Sequence, residues 1–326
     1  MQRLARSFVP VADEVGRLQR GTDPECVLFQ AVAEKGHYAG RTEPTNTRQG
    51  TYALTPSGIF LASVNTRSPK DMARMLETAL EKWKTLSRDD RLGVADPRAT
   101  TGAIERYESL FPAGGLALRV TSRDLPRAGG GEPAEPRGHR DWRVKAWNQD
   151  TAWFKPEEAR ELLPPAPAKP GDRREVPKPL VDRIVRAHLI DNVRGQTTCY
   201  AETEVVAASL ASTVEAENGN RVFVRLDGAT RAAAKGQWPV AGFQDMTAPK
   251  EHERGMETTL LGRAEFDVAS GRFVAFELVA SGSRWGATQY NGREDDPGPA
   301  PIAFVFALDE TAAAVAPAWH WIYGWK

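Results

Sequence analysis

At 326 residues the chain is long enough for two domains with substantial cores, and its 41% hydrophobic and 26% charged content is that of a globular protein. Its 43 basic and 43 acidic residues cancel, which removes the electrostatic case for a nucleic-acid partner or an anionic membrane surface. No apolar run approaches the ~18 residues of a membrane-spanning helix, and two cysteines without a CxxC write neither a zinc finger nor a disulfide framework.

In chain order, Phe8-Val9-Pro10-Val11 reads as a buried strand a few residues from the start. A helix-compatible stretch over 12–20 carries Val15 and Leu18 among charges. After Thr22-Asp23-Pro24 a second helix over 25–34 aligns Cys26, Phe29, Gln30 and Ala33 on one face. Gly36-His37-Tyr38-Ala39-Gly40 stops that helix, and 41–49 is a polar loop. Thr51-Tyr52-Ala53-Leu54 is a strand, Thr55-Pro56-Ser57-Gly58 a turn, and 59–64 the returning strand. Ser68 stands at an N-cap with Pro69 at the first helical position, and Met72, Met75, Leu76, Ala79, Leu80 and Trp83 form one apolar stripe.

This order of elements over residues 1–92 resembles the second half of a thioredoxin-like domain, an antiparallel hairpin followed by a helix packed on the sheet. The phrase from Gly50 through Pro56 to Gly58 is similar to the strand and DPxG turn of extracytoplasmic thioredoxin-family proteins. The resemblance implies that Phe8 to Val11 is the strand following the family's active-site helix. The family's chemistry needs a dithiol at a helix N-terminus; here that position would fall before Met1, and Gln49-Gly50 stands where the family has a cis-proline. Two readings stay open. A start truncated of its first βαβ unit and signal peptide would make the protein extracytoplasmic, whereas with Met1 as the true start it is a cytoplasmic, redox-dead scaffold. Cys26 is expected as a buried thiol, since Pro24 and Glu25 supply no cation to hold a thiolate. His37 and Tyr38 occupy a loop, where function concentrates, or a turn packed on the hairpin.

The middle, 93–179, reads as a connector. Leu116, Leu118 and Val120 alternate as a half-exposed strand, and 123–140 is a glycine- and proline-rich loop whose Gly129-Gly130-Gly131 lacks the lysine and helix start of a phosphate loop. Trp142, Trp147 and Trp153 anchor the connector or form a stacking platform. Pro156-Glu157-Glu158 opens a short helix, and the proline run over 164–179 marks a domain boundary.

From 180 a helix is expected to Arg194, ended by Gly195 and carrying His188 as a core or boundary histidine. Strands follow over 204–216, 221–226, 256–266, 272–280 and 302–308, with a tight turn at Asn218-Gly219. The loop 281–301, carrying Trp285, Tyr290, Arg293 and the acids Glu294, Asp295 and Asp296, is the most function-like surface, the acids forming a solvated turn before Pro297. The aromatic tail from Trp319 to Trp325 docks on the sheet or offers an adhesive patch.

The expected architecture is therefore α+β: an incomplete thioredoxin-like α/β domain over 1–92, the connector over 93–179, and an antiparallel β-rich sandwich or partly closed barrel with one leading helix over 180–326. No GxSxG elbow, HExxH or Walker loop occurs, and His37, His139, His188, His252 and His320 show no ligand spacing, so no cofactor, metal or catalytic set is expected. The preferred reading is a non-catalytic binding or scaffold protein for a protein or small-molecule ligand, with Cys26, His37, Tyr38, Trp147, Trp285, Tyr290 and Arg293 as candidate contacts. The alternatives are a thiol–disulfide oxidoreductase with an upstream dithiol or Cys26 alone, and a carbohydrate-binding or carbohydrate-active module using the tryptophans.

Overall fold

The structure, a computed structural model, describes residues 2–11, 15–37, 48–66, 68–93, 110–127, 145–240 and 250–325, in two units, Met1–Ile104 and Glu105–Lys326. Tyr38, His139, Trp142 and the glycine triplet at 129–131 lie outside the described residues.

The first unit contains α1 (Gln2–Ala5), α2 (Val15–Arg20), α3 (Pro24–Ala33), β1 (Thr51–Leu54), β2 (Phe60–Val64), α4 (Pro69–Thr85) and α5 (Arg88–Leu92). Ser68 caps α4 by accepting the Asp71 N–H, and the helix lays Met75, Leu76 and Ala79 onto Ala53, Leu61 and Ala62 of the β1–β2 hairpin. The strand expected at 8–11 does not form: Val9 and Val11 are 89% and 73% exposed, and among the described residues β1 and β2 make a two-stranded sheet. Pro10 has no N–H to donate to a ladder, and only Phe8 packs inward, against the α4 core.

The second unit is built on a single antiparallel sheet. Its elements are β3 (Leu116–Asp124), β4 (Trp147–Phe154), α6 (Pro156–Arg160), β5 (Arg173–Glu175), α7 (Lys178–Ala187), β6 (Val205–Asn218), β7 (Arg221–Trp238), β8 (Lys250–Asp267), β9 (Arg272–Trp285) and β10 (Ala300–Leu308). The strand order is β4-β3-β10-β9-β8-β7-β6-β5, one eight-stranded antiparallel sheet rather than the two sheets of a sandwich. The supposed connector is therefore part of this sheet. β3 pairs with β10 from Leu118 to Asp124, and β5, inside the proline run, pairs with β6. The boundary between the two units falls at residue 104 instead of within the proline run. Prolines are tolerated there because β5 is an edge strand that needs only three paired residues.

Alternation decides what the sheet buries. Leu226, Leu278, Phe306 and Val120 fall in one cross-strand row, and Leu210, Leu260, Ala280 and Phe304 in the next. Together with Val181, Ile184, Val185 and Leu189 these side chains form the main core. α7 stops at Ala187, short of the expected Arg194, with His188 as its C-cap; Leu189, Ile190 and Val193 continue into the core in non-helical geometry. Gly195 serves close approach instead of capping. A Cβ there would run into the Tyr290 carbonyl, which accepts the Gln196 N–H.

Candidate functional site

The same alternation that buries the aliphatic rows also carries charge inward. Asp124 follows Leu118, Val120 and Ser122 on β3. Asp150 lies opposite Val120 on β4. Arg284 follows Leu278, Ala280 and Gly282 on β9, and Arg254 precedes Met256, Thr258 and Leu260 on β8. A charge in an apolar register is expensive unless it is paired, so the partners of these four residues define the chemistry of the unit.

Asp124 and Arg284 belong to a buried ionic knot. Arg293, with 0% exposure, forks twice: Nη1 and Nη2 donate to Asp124 at 2.8 and 2.7 Å, and Nε and Nη2 donate to Asp191 at 2.8 and 2.7 Å. Arg194 Nε donates to Asp124 at 2.9 Å, and Asp296 accepts from both Arg284 and Arg127. Burial works against charge on all the inner arginines. At Arg194 and Arg284 it wins and lowers the pKa; at Arg293 the carboxylates of Asp191 and Asp124 overcome it and hold the pKa above its ordinary value. Burial likewise pushes Asp124 up, but the hydrogen bonds and charge of Arg293, backed by Arg194 and Arg284, win and hold its carboxyl below the ordinary range. The knot ties the end of β3, the segment after α7, the end of β9 and the loop 286–299 together. It is a lock.

Asp150 belongs to a second closed circuit. His188 bridges Asp150 Oδ2 through Nδ1 at 2.9 Å and the Tyr323 hydroxyl through Nε2 at 2.7 Å. The Trp153 N–H donates to that hydroxyl at 3.1 Å, and the Ala318 N–H donates to Asp150 Oδ1. An Asp–His–Tyr chain has the connectivity of a proton relay, yet each end here terminates on backbone, and Arg183, itself bonded to Glu158, covers the Tyr323 ring at 4.4 Å. The circuit fastens the aromatic tail to β4 and leaves no group presented to a substrate.

Arg254 is different. It is 6% exposed, and among the described residues it is the one buried charged side chain without an oppositely charged partner within 4.0 Å. Its Nη2 donates to Thr198 Oγ1 and to the Cys199 carbonyl, both at 3.2 Å, and its guanidinium lies over the Tyr200 ring at 4.4 Å. Nε and Nη1 make no hydrogen bond among the described residues. The ring contact contributes on the order of 2 kcal/mol when desolvated, less than a paired carboxylate would. The guanidinium borders an open cleft of about 450 Å³ whose other walls are Arg186, the segment from Thr198 to Glu202, Glu204, Trp321 and Ile322. Arg186 is spoken for, donating to the Tyr200 carbonyl and to Glu202, each at 3.0 Å. Cys199 is also among the lining residues, and burial lifts its thiol above the ordinary value despite Arg186 and Arg254 nearby.

The residues expected as contacts from sequence are not brought together. In the first unit Cys26 is wholly buried with its thiol on Asp23 Oδ2 at 2.9 Å, and His37 stacks on Tyr52 and bonds Ser63 Oγ at 2.7 Å, closing over Gln49-Gly50. In the second, Trp147 is 59% exposed at the start of β4, and Trp285 lies flat over Gly255 with Nε1 on Glu253. Tyr290 is exposed and contributes its backbone carbonyl, while Arg293 is the centre of the knot and unavailable to any ligand. The solvated acidic turn is corrected too: Asp296 is buried against Arg284 and Arg127 because the loop folds inward over the end of β9. Arg254 was missed, although its signal, a cation two residues before the inward run of Met256, Thr258 and Leu260, stands in the sequence.

The thiols give a direct check. In the folded protein a soluble maleimide is expected to label Cys199 and not Cys26, with the Cys199 rate still climbing above pH 9.0 because its thiol is raised. Equal labelling of both at neutral pH would contradict the placement of Cys26. Compared with known protein families, curated proteins and solved structures, the chain matches none.

Proposed function

We propose that the chain is a non-catalytic binding protein that takes its ligand in the Arg254 cleft of the second unit, while the first unit is a thioredoxin-like scaffold without a working dithiol. The observation that carries the reading is the unneutralised guanidinium of Arg254, buried in the wall of an open cleft. Buried charge that the fold leaves unpaired is a stability cost, and such costs concentrate where a ligand repays them. Of the groups with catalytic potential elsewhere, His188 is bonded on both ring nitrogens, to Asp150 and Tyr323, and the Cys26 thiol donates to Asp23 Oδ2.

Two measurements test this. A ligand at a hundredfold excess over its Kd should raise the melting temperature of the unit by about 5–10 °C, and the rise should vanish in Ala201→Trp, whose indole would occupy the cleft. A small-molecule library whose hits are all indifferent to Ala201→Trp removes the cleft from consideration. Reduction of insulin disulfides by the protein, lost in a Cys26→Ser and Cys199→Ser double variant, would overturn the non-catalytic part.

A further inference from the structure

We propose that the Arg254 cleft takes an uncharged sugar, a pyranoside ring laid against Trp321 with its hydroxyls shared between Arg254 and the carboxylates of Glu202 and Glu204. This deepens the binding reading above and rests on it. The donors left on Arg254 set the first condition. Tyr200 supports the plane of the guanidinium, while Thr198 Oγ1 and the Cys199 carbonyl both take Nη2. Nη2 is common to both two-nitrogen edges of a guanidinium, so Nε and Nη1 remain as single donors on opposite sides. A carboxylate seeking a parallel pair finds none, whereas two hydroxyl oxygens on different carbons can each accept one.

The carboxylates set the second condition. Glu202 Oε1 accepts from Arg186, and Glu204 Oε2 accepts the Ala201 N–H at 2.7 Å. The other oxygen of each makes no hydrogen bond among the described residues, so the lining presents acceptors beside its donors. A carboxylate ligand has no proton for them, and an ammonium has no lone pair for Arg254. A hydroxyl donates and accepts, and serves both sides. Charge agrees with this. Arg186 and Arg254 balance Glu202 and Glu204 on the lining, so a ligand with net charge is repelled by one pair as it is drawn to the other.

The third condition is the apolar wall. Trp321 is 55% exposed and makes T-shaped contacts with Trp319 and His320, ring centroids at 5.0 and 5.2 Å, and Ile322 lies beside it. A pyranose has an apolar C–H face, which an indole can cover, and a rim of hydroxyls left free for the polar lining.

The test titrates methyl glucoside, methyl galactoside and methyl mannoside onto the full chain by calorimetry, with loss of binding in Ala201→Trp marking the cleft as the site. At least one glycoside is expected to bind with a Kd of about 1 mM, and tetrahydropyran, the ring without hydroxyls, is not. The uronic acid and amino-sugar counterparts of that glycoside should bind about tenfold more weakly, as should the glycoside itself to Trp321→Ala. Glu204→Gln, whose amide oxygen can still accept the Ala201 N–H, should weaken the glycoside and narrow the gap to its uronic acid, because the lining then carries one net positive charge.

Equal binding of tetrahydropyran, lost in Ala201→Trp, would leave the cleft a binding site and overturn the hydroxyl assignment. Tighter binding of the uronic acid or the amino sugar would overturn the uncharged ligand. Glycoside binding that survives Ala201→Trp lies elsewhere and overturns the proposal as well. If no glycoside binds at tens of millimolar, the sugar falls, and the cleft falls with it only when the library also yields no hit sensitive to Ala201→Trp.

Discussion

Arg293→Ala is expected to destabilise the second unit by about 3–5 kcal/mol, the range for removing one partner from a buried ion pair, and to lower its melting temperature by on the order of 10 °C. The physical reason lies in what remains. Asp124 and Asp191 would keep their burial and lose the four hydrogen bonds that Arg293 supplies. Arg194 still reaches Asp124, but Asp191 would retain only Arg284 Nε at 3.9 Å, a nitrogen that makes no hydrogen bond even in the intact knot. Chemical denaturation of wild type and variant checks the figure, and a loss below about 1 kcal/mol would mean that water enters and replaces the arginine. Arg293→Lys should recover little, because a point charge cannot serve two carboxylates by the fork geometry seen here.

The knot also predicts how the unit responds to acid. The Asp124 carboxyl is depressed in the folded state, so between that lowered value and the ordinary 3.8 the unfolded chain binds a proton that the folded chain does not. Its contribution is therefore complete above the ordinary carboxylate range and is lost as the pH falls through the depressed value. Glu158, for which the hydrogen bonds and charge of Arg183 outweigh burial, behaves in the same sense. Stability measured against pH should fall more steeply in this acid window for wild type than for Asp124→Asn.

Trp153→Ala is the second large effect, expected to cost about 3–5 kcal/mol. The indole is 2% exposed between Phe111 and Trp325, with ring centroids at 5.2 and 6.2 Å, and its Nε1 donates to the Ala312 carbonyl at 2.9 Å. Its loss removes the surface on which the segment after β10 is seated. Limited proteolysis should then cut within 309–325 in the variant at a protease concentration that leaves wild type intact. Trp153→Phe should fall between, keeping ring packing and losing the hydrogen bond. An unchanged digestion pattern in Trp153→Ala would show that the His188–Tyr323 bond holds the tail without the indole.

Much of the fold was legible where the determining interactions are local. The α4 stripe, its Ser68 cap and the Asn218-Gly219 turn, with Gly219 at φ 59, depend on neighbours a few residues away, and each stands as read. His188, expected as a core or boundary histidine because it follows Ile184 by one helical turn, is buried. The strand at 8–11 failed because a run of apolar residues says nothing about whether a partner edge is free to receive it. The connector failed for the complementary reason: β3 reads as an isolated strand because its partner β10 lies some 180 residues further along the chain, and β4, which pairs with β3, does not read as a strand.

By itself the sequence determined the periods, caps and turns of the local elements, whereas the inward positions of Asp124, Asp150, Arg254 and Arg284 emerged only once the strands were seen to run further than their apolar stretches. Only the tertiary structure decided which of those charges meet a counterion, since Asp124 and Asp191 reach Arg293 from 169 and 102 residues away. Alternation is set by backbone geometry within a strand, whereas pairing is set by register across strands and by loops that fold back over them. That is why the knot and the unpaired Arg254 look alike in the sequence and differ in the fold.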